Sequence, residues 1–159
     1  VQSPDSPRAL PSKLTPNDFG LRTPILVRWT GKVQPRRCDD LAMSIDLVPT
    51  VLDALGESRP PAMRGVSLLD EAAVAGRRTI FGECFTHDAA DLNDPAKNLT
   101  HRWAIDGFQK LIVPHRRGTP QLYDLASDPH ERADLAAQRP EAVRSLRVKP
   151  DAWWNPASR

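Results

Sequence analysis

The stretch Ser12-Lys13-Leu14-Thr15-Pro16-Asn17-Asp18-Phe19-Gly20-Leu21-Arg22-Thr23-Pro24 runs directly into the apolar run Ile25-Leu26-Val27-Arg28-Trp29. A loop carrying two cations, Lys13 and Arg22, thus leads into a segment that reads as a short strand over Ile25–Trp29. Both faces of that strand are expected to be buried, as in the parallel sheets of α/β proteins. The pattern predicts an anion-facing loop held by a rigid element, an arrangement that commonly carries function. Pro4, Pro7, Pro11 and Pro16 precede or interrupt this loop, so an irregular path is expected from Val1 to Thr23.

Downstream, Asp46 is placed to cap a helix over Leu47 to Leu55, with Pro49 in its first turn and Gly56 closing it in the left-handed region. Val48, Val51, Leu52 and Leu55 form one apolar stripe at helical spacing, predicting a face that covers a sheet. Thr79 to Thr86 reads as a strand. Arg102 to Asp106 and Phe108 to Val113 read as a hairpin around Asp106-Gly107, and Gln121 to Leu125 as a further strand. Pro140 opens a helix to about Val148, with Pro150 closing it. Two parts are expected: residues 1–70 as the end of an α/β domain, and residues 71–159 as a small antiparallel sheet with a C-terminal helix.

The ordered motifs resemble the type I sulfatases, sulfate-ester hydrolases of the alkaline phosphatase superfamily. The residues that carry the likeness are Lys13, Asp18, Gly20, Arg22, Pro24, Trp29 and Gly31, then Ser44 through Gly56 with its Asp46-x-x-Pro49-Thr50 core, then Gly65-Val66-Ser67-Leu68-Leu69. It continues through Lys110-Leu111-Ile112, Leu122-Tyr123-Asp124-Leu125 and Asp128-Pro129-His130-Glu131. The fold implied is α/β, the C-terminal part of an alkaline-phosphatase-like sulfatase fold ending in a small antiparallel sheet packed with a C-terminal helix.

The resemblance also implies roles. Lys13 would bind the sulfate and stabilise charge as the S–O bond breaks; read without the family, it is a solvated loop lysine. Arg22 is read as structural, tying the loop to a carboxylate such as Asp18. His87 and Asp88, in the polar loop after the third predicted element, would contact the substrate, a sulfated small molecule or carbohydrate. In the family a formylglycine, made from a Cys/Ser-x-Pro/Ala-x-Arg motif, is the nucleophile, and a calcium ion is held by carboxylates and an amide.

Neither that motif nor an Asp-Asn-Gly metal segment occurs in this sequence. The chain is therefore expected to be the C-terminal third of a longer sulfatase, lacking the N-terminal catalytic portion, with no cofactor of its own and with calcium and formylglycine supplied by the full-length parent. The alternatives are a non-catalytic remnant or sulfated-ligand-binding module, and a phosphoryl-transfer hydrolase of the same superfamily. The sequence does not assign a compartment; a periplasmic or secreted parent is compatible with it.

Composition narrows the remaining classes. The 159 residues are 40% hydrophobic and 26% charged, a globular balance, while 16 prolines predict long loops. A formal charge of +2 without long like-charge runs gives nucleic-acid binding no support. No apolar run approaches a membrane span, and Cys38 and Cys84 read as two free thiols. His87, Asp88, Asp91, Asp94 and His101 have the spacing of neither a zinc site nor an EF-hand, so no metal is assigned to them. Asp128-Pro129-His130-Glu131 reads as a turn, and Trp153 and Trp154 as packing residues.

Overall fold

The structure is a computed structural model that describes residues 15–88 and 90–156. They fall into two compact units, one built from residues 15–23 and 81–156 and the other from residues 24–80.

The first unit is organised by a four-stranded sheet in the order β1 (Thr79–Phe85), β2 (Leu99–Asp106), β3 (Gln109–Pro114) and β4 (Gln121–Asp124). β2 pairs antiparallel with β3, from His101 opposite Pro114 to Asp106 opposite Gln109, and β3 pairs antiparallel with β4. The hairpin turn is Gly107-Phe108, one residue later than the predicted Asp106-Gly107. Gly107 has φ +59° while Phe108 keeps an ordinary negative φ, so only the first turn residue needs the left-handed region.

Side chains alternate across the sheet, giving β3 two different duties. Leu111 and Val113 point to one face, where they form a core with Leu122 and Leu146. Leu146 belongs to helix α5 (Pro140–Trp153), whose Ala142 and Val143 pack on the same cluster. Two ion pairs fasten this helix to β2: Arg102 to Asp151 at 2.8 Å and Lys149 to Asp106 at 2.7 Å.

The helix runs past Pro150, which was expected to close it. A proline inside a helix forfeits one backbone donor. Here that cost is offset by the contacts made beyond it. Trp153 stacks on Phe81 at 5.0 Å between ring centroids, Trp154 packs against Phe85, and the Arg102 guanidinium donates to the Trp154 carbonyl at 2.8 Å. The paired tryptophans are packing residues, as the sequence indicates.

The second unit contains a 3-10 turn (Ser44–Asp46), helix α2 (Leu47–Leu55) and the short helix α3 (Glu71–Gly76). The limits of α2 are those read from the sequence, and Gly56 closes it with φ +74°. Its packing is reversed from expectation. Asp46, Pro49 and Thr50 are the buried positions, whereas Val48, Val51 and Leu55 are exposed.

A polar stripe at helical spacing holds the following segment instead. The Thr50 hydroxyl accepts from the Leu68 N–H at 2.9 Å, and the Ser67 hydroxyl donates to Asp53 at 2.6 Å. Asp46 does not cap α2 with its side chain. Its carboxylate accepts from the Met43 and Val66 N–H groups and from both terminal nitrogens of Arg77, at 2.6 and 2.8 Å. Burial by itself would push this carboxyl up, but the Arg77 and backbone donors outweigh it and hold its pKa below the ordinary 3.8.

The predicted strand Ile25–Trp29 is not formed. An extended segment becomes a strand only when a neighbouring backbone pairs with its N–H and C=O groups. None of the described strands pairs with this one, and Leu26 is 93% exposed.

Candidate functional site

On the face of the sheet opposite α5, β3 presents Lys110, fully buried beside Ile112. Two carboxylates meet its ammonium: Glu131 Oε1 at 2.5 Å and Asp18 Oδ1 at 2.9 Å. Asp18 opens α1 (Asp18–Leu21), a single helical turn in the loop that follows Lys13. Its backbone N–H donates to the second Glu131 oxygen at 3.0 Å, closing the cluster. The Trp103 ring lies beneath, with the ammonium 5.9 Å from its centroid.

The turn that delivers Glu131 is built by Asp128, which accepts from the Arg132 and Ala133 N–H groups at 2.7 and 2.8 Å. That much agrees with the turn read from Asp128-Pro129-His130-Glu131. Glu131 itself holds φ +52°, an uncommon state for a residue with a side chain. Next to it, His130 stacks on Phe19 with the planes 6° apart. Phe19 occupies an ordinary helical position and needs no left-handed backbone. Arg22 is not the partner of the Asp18 carboxylate: only its backbone N–H bonds to Asp18, at the carbonyl, because Lys110 has taken the side chain.

Beside this anchored segment opens a cleft of about 390 Å³ lined by Thr15, Gly20 and Leu21 on one side and by the residues from Glu83 to His87 on the other. Its far wall is the end of β1 and the loop after it. The Thr86 N–H bonds to the Asn98 carbonyl at 2.8 Å, while the buried Asn98 side chain receives the Ala90 N–H and donates to the Asp91 carbonyl at 2.7 Å. Asn98, in the short helix α4 (Pro95–Asn98), thereby ties the polar loop at Thr86 through its backbone carbonyl and at Ala90 and Asp91 through its side-chain amide. Cys84, at the cleft, is a buried free thiol whose pKa burial pushes up. Cys38 is also free and is exposed.

Of the residues singled out in the sequence, His87 lines the cleft. Asp88 is its exposed neighbour, with Oδ1 3.3 Å from the imidazole Nδ1. Lys13 lies outside the described residues, two positions before Thr15. Among the described residues no three His, Cys, Asp or Glu side chains converge as a metal-binding group. Lys110 and Glu131 stand in the motifs quoted from the sequence, but their pairing with each other and with Asp18 is what sequence reading missed. A lysine flanking the apolar run Leu111-Ile112-Val113 was the available signal, since a charge in a strand buried on both faces requires partners.

These features belong to a recognisable class. Residues 15–149 match the C-terminal family of N-sulphoglucosamine sulphohydrolase, and the chain belongs to that sulfatase family. An N-acetylgalactosamine-6-O-sulfatase of Bacteroides thetaiotaomicron is 29% identical over 150 residues, which cover 84% of this chain and 27% of that protein. A solved structure from work on glycosaminoglycan metabolism by the same organism superposes with a TM-score of 0.59 at 24% identity, covering 79% of this chain and 27% of the other. Another, described as bound to its substrate D-glucosamine-2-N,6-O-disulfate, gives a TM-score of 0.53 at 19% identity, covering 72% and 24%. The chain spans about a quarter of the length of the curated relatives it matches.

Proposed function

We propose that the chain contributes one wall of the active site of a sulfatase that hydrolyses a sulfate ester on a sugar. The observation that carries this reading is the cleft itself. Thr15, Gly20 and Leu21 line it together with Glu83 to His87, and Lys13 lies two residues before Thr15 in the sequence. Membership of the sulfatase family supports the reaction class, and the sulfated glucosamine bound by one structural neighbour supports the substrate class.

Breaking the S–O bond of a sulfate ester shifts negative charge onto the departing sugar oxygen. A fixed ammonium near that charge lowers the barrier, because a preorganised group pays no reorganisation cost during the reaction. Lys13 is assigned that role. The imidazole of His87 can donate to a sugar hydroxyl or to a sulfate oxygen, and Asp88, beside its Nδ1, can orient the ring. The nucleophile and the calcium ion would come from the remaining three quarters of a protein the size of its relatives. Calcium there would neutralise the sulfate oxygens.

The test uses D-glucosamine-2-N,6-O-disulfate and unsulfated glucosamine as probes for the 159-residue chain. Expected is measurable binding of the disulfate only, weakened at least about tenfold in Lys13→Ala and less in His87→Ala, since charged contacts contribute roughly 1.5–3 kcal/mol. Equal binding of both sugars would overturn the proposal. No turnover of a generic aryl sulfate is expected from this chain, even with calcium. Turnover that disappears in Lys13→Ala would contradict the assignment of nucleophile and metal to sequence outside it.

A further inference from the structure

We propose that Lys110 and Glu131 are positioning residues: with Asp18 they form a buried charge clamp that sets the N-terminal wall of the cleft. This rests on the cleft being the sugar-binding site. It adds which residues hold that site open and in what manner.

The three charges come from parts of the chain far apart in sequence. Lys110 is in the middle of the sheet, Glu131 in the turn after β4, and Asp18 in the loop that leads from Lys13. A buried ammonium is expensive to desolvate, and a strand position of this kind is filled at least as stably by an apolar residue. Stability alone therefore does not account for a lysine there. What a charge adds is direction: its partners must come to it, within hydrogen-bonding distance, from fixed sides.

Three observations fit that use. Both carboxylates reach the same nitrogen, at 2.5 and 2.9 Å. The Asp18 N–H donates to the free oxygen of Glu131, so the backbone of the loop is held as well as its side chain. Glu131 adopts φ +52°, an unfavourable backbone state that the surrounding turn enforces and that brings its carboxylate to the lysine. The residues that line the cleft from this side, Gly20 and Leu21, belong to the helical turn that Asp18 begins.

Asp18 is the partner that can be removed with least harm, because the Lys110 and Glu131 charges still pair without it. Hydrogen exchange of the chain should show the Gly20 and Arg22 amides, which now bond to the Asn17 and Asp18 carbonyls, exchanging at least about tenfold faster in Asp18→Ala. The Leu111 and Ile112 amides in β3 should be unchanged. Affinity for D-glucosamine-2-N,6-O-disulfate should fall by a similar factor, and Asp18→Glu should restore part of both. Glu131→Gln gives a second view, with Gly20 and Arg22 again affected more than β3.

Unchanged Gly20 and Arg22 amides in both variants would overturn the clamp, as would uniform acceleration that includes β3. If the wild-type chain binds no sulfated sugar, the sugar-site reading fails, while the exchange data still decide whether the clamp holds the wall.

Discussion

Helices α2 and α5 carry the same sequence signal, an apolar stripe at helical spacing, and use it in opposite ways. In α5 the stripe is covered: Leu146 is 3% exposed and packs on Leu111, Val113 and Leu122 of the sheet. In α2 it is open, with Val51 56% and Leu55 69% exposed, and the buried side of the helix is the polar one. Amphipathic spacing therefore says that a helix has an apolar face. It does not say that this chain supplies the surface to cover it.

The two units are accordingly held by different forces. Around the sheet, stability comes from apolar area removed from water, contributing about 25 cal/mol for each Å². Around α2, it comes from a buried carboxylate with four donors and from hydroxyl bonds to a returning segment. A polar network of this kind is sensitive to the loss of any one member, since the remaining partners stay buried without compensation.

The largest effect should therefore be in the unit held by the Asp46 network. Asp46→Asn leaves the Arg77 guanidinium without its carboxylate, and breaking a buried pair costs about 3–5 kcal/mol. Hydrogen exchange should show amide protection in α2 collapsing while protection in β2 and β3 remains. A loss of protection confined to the sheet would break the contrast between the units.

The same carboxylate gives the contrast a pH dependence. Its folded pKa lies below 3.8, so near that pH the unfolded state binds more protons than the folded one, and stability rises with pH. The contribution is complete above about pH 5 and is lost as the pH falls through the folded value. Acid should thus expose α2 amides before those of β3, and the wild-type advantage over Asp46→Asn should shrink on acidification.

Next in size is the matching change in the sheet unit. Leu111 is fully buried against Leu146, and truncating such a leucine costs about 3 kcal/mol through lost transfer energy and the cavity left behind. Leu111→Ala should lower protection across β2, β3 and α5 with little change in α2.

Much of this was legible in the sequence because local rules determined it. The limits of α2, the segments that become strands and the Asp128 turn all follow from short-range patterns. The failures share a different origin. Ile25–Trp29 has strand composition, but pairing is a property of neighbours, and no described strand lies beside it. Pro150 was read as a stop because its local cost was visible, while the offsetting contacts of Trp153, Trp154 and Arg102 join residues about 50 positions or more apart.

The site divides along the same line. His87, singled out by the polarity of its loop, a local cue, lines the cleft. The pairing of Lys110 with Glu131 was not legible, because it is a property of neither segment alone. One is a strand lysine and the other a turn glutamate. Their meaning arises only when Asp18, 92 positions from Lys110, arrives between them.

The smallest expected effect tests the open stripe directly. Val51→Ser with Leu55→Ser removes apolar surface that is already in water, so the folded state loses little burial. Helix propensity changes only slightly, and exposed substitutions of this kind shift stability by no more than about 0.5 kcal/mol. The double variant should therefore keep wild-type protection in α2. A loss of several kcal/mol would mean that this face is covered in solution, and α2 would then resemble α5 after all.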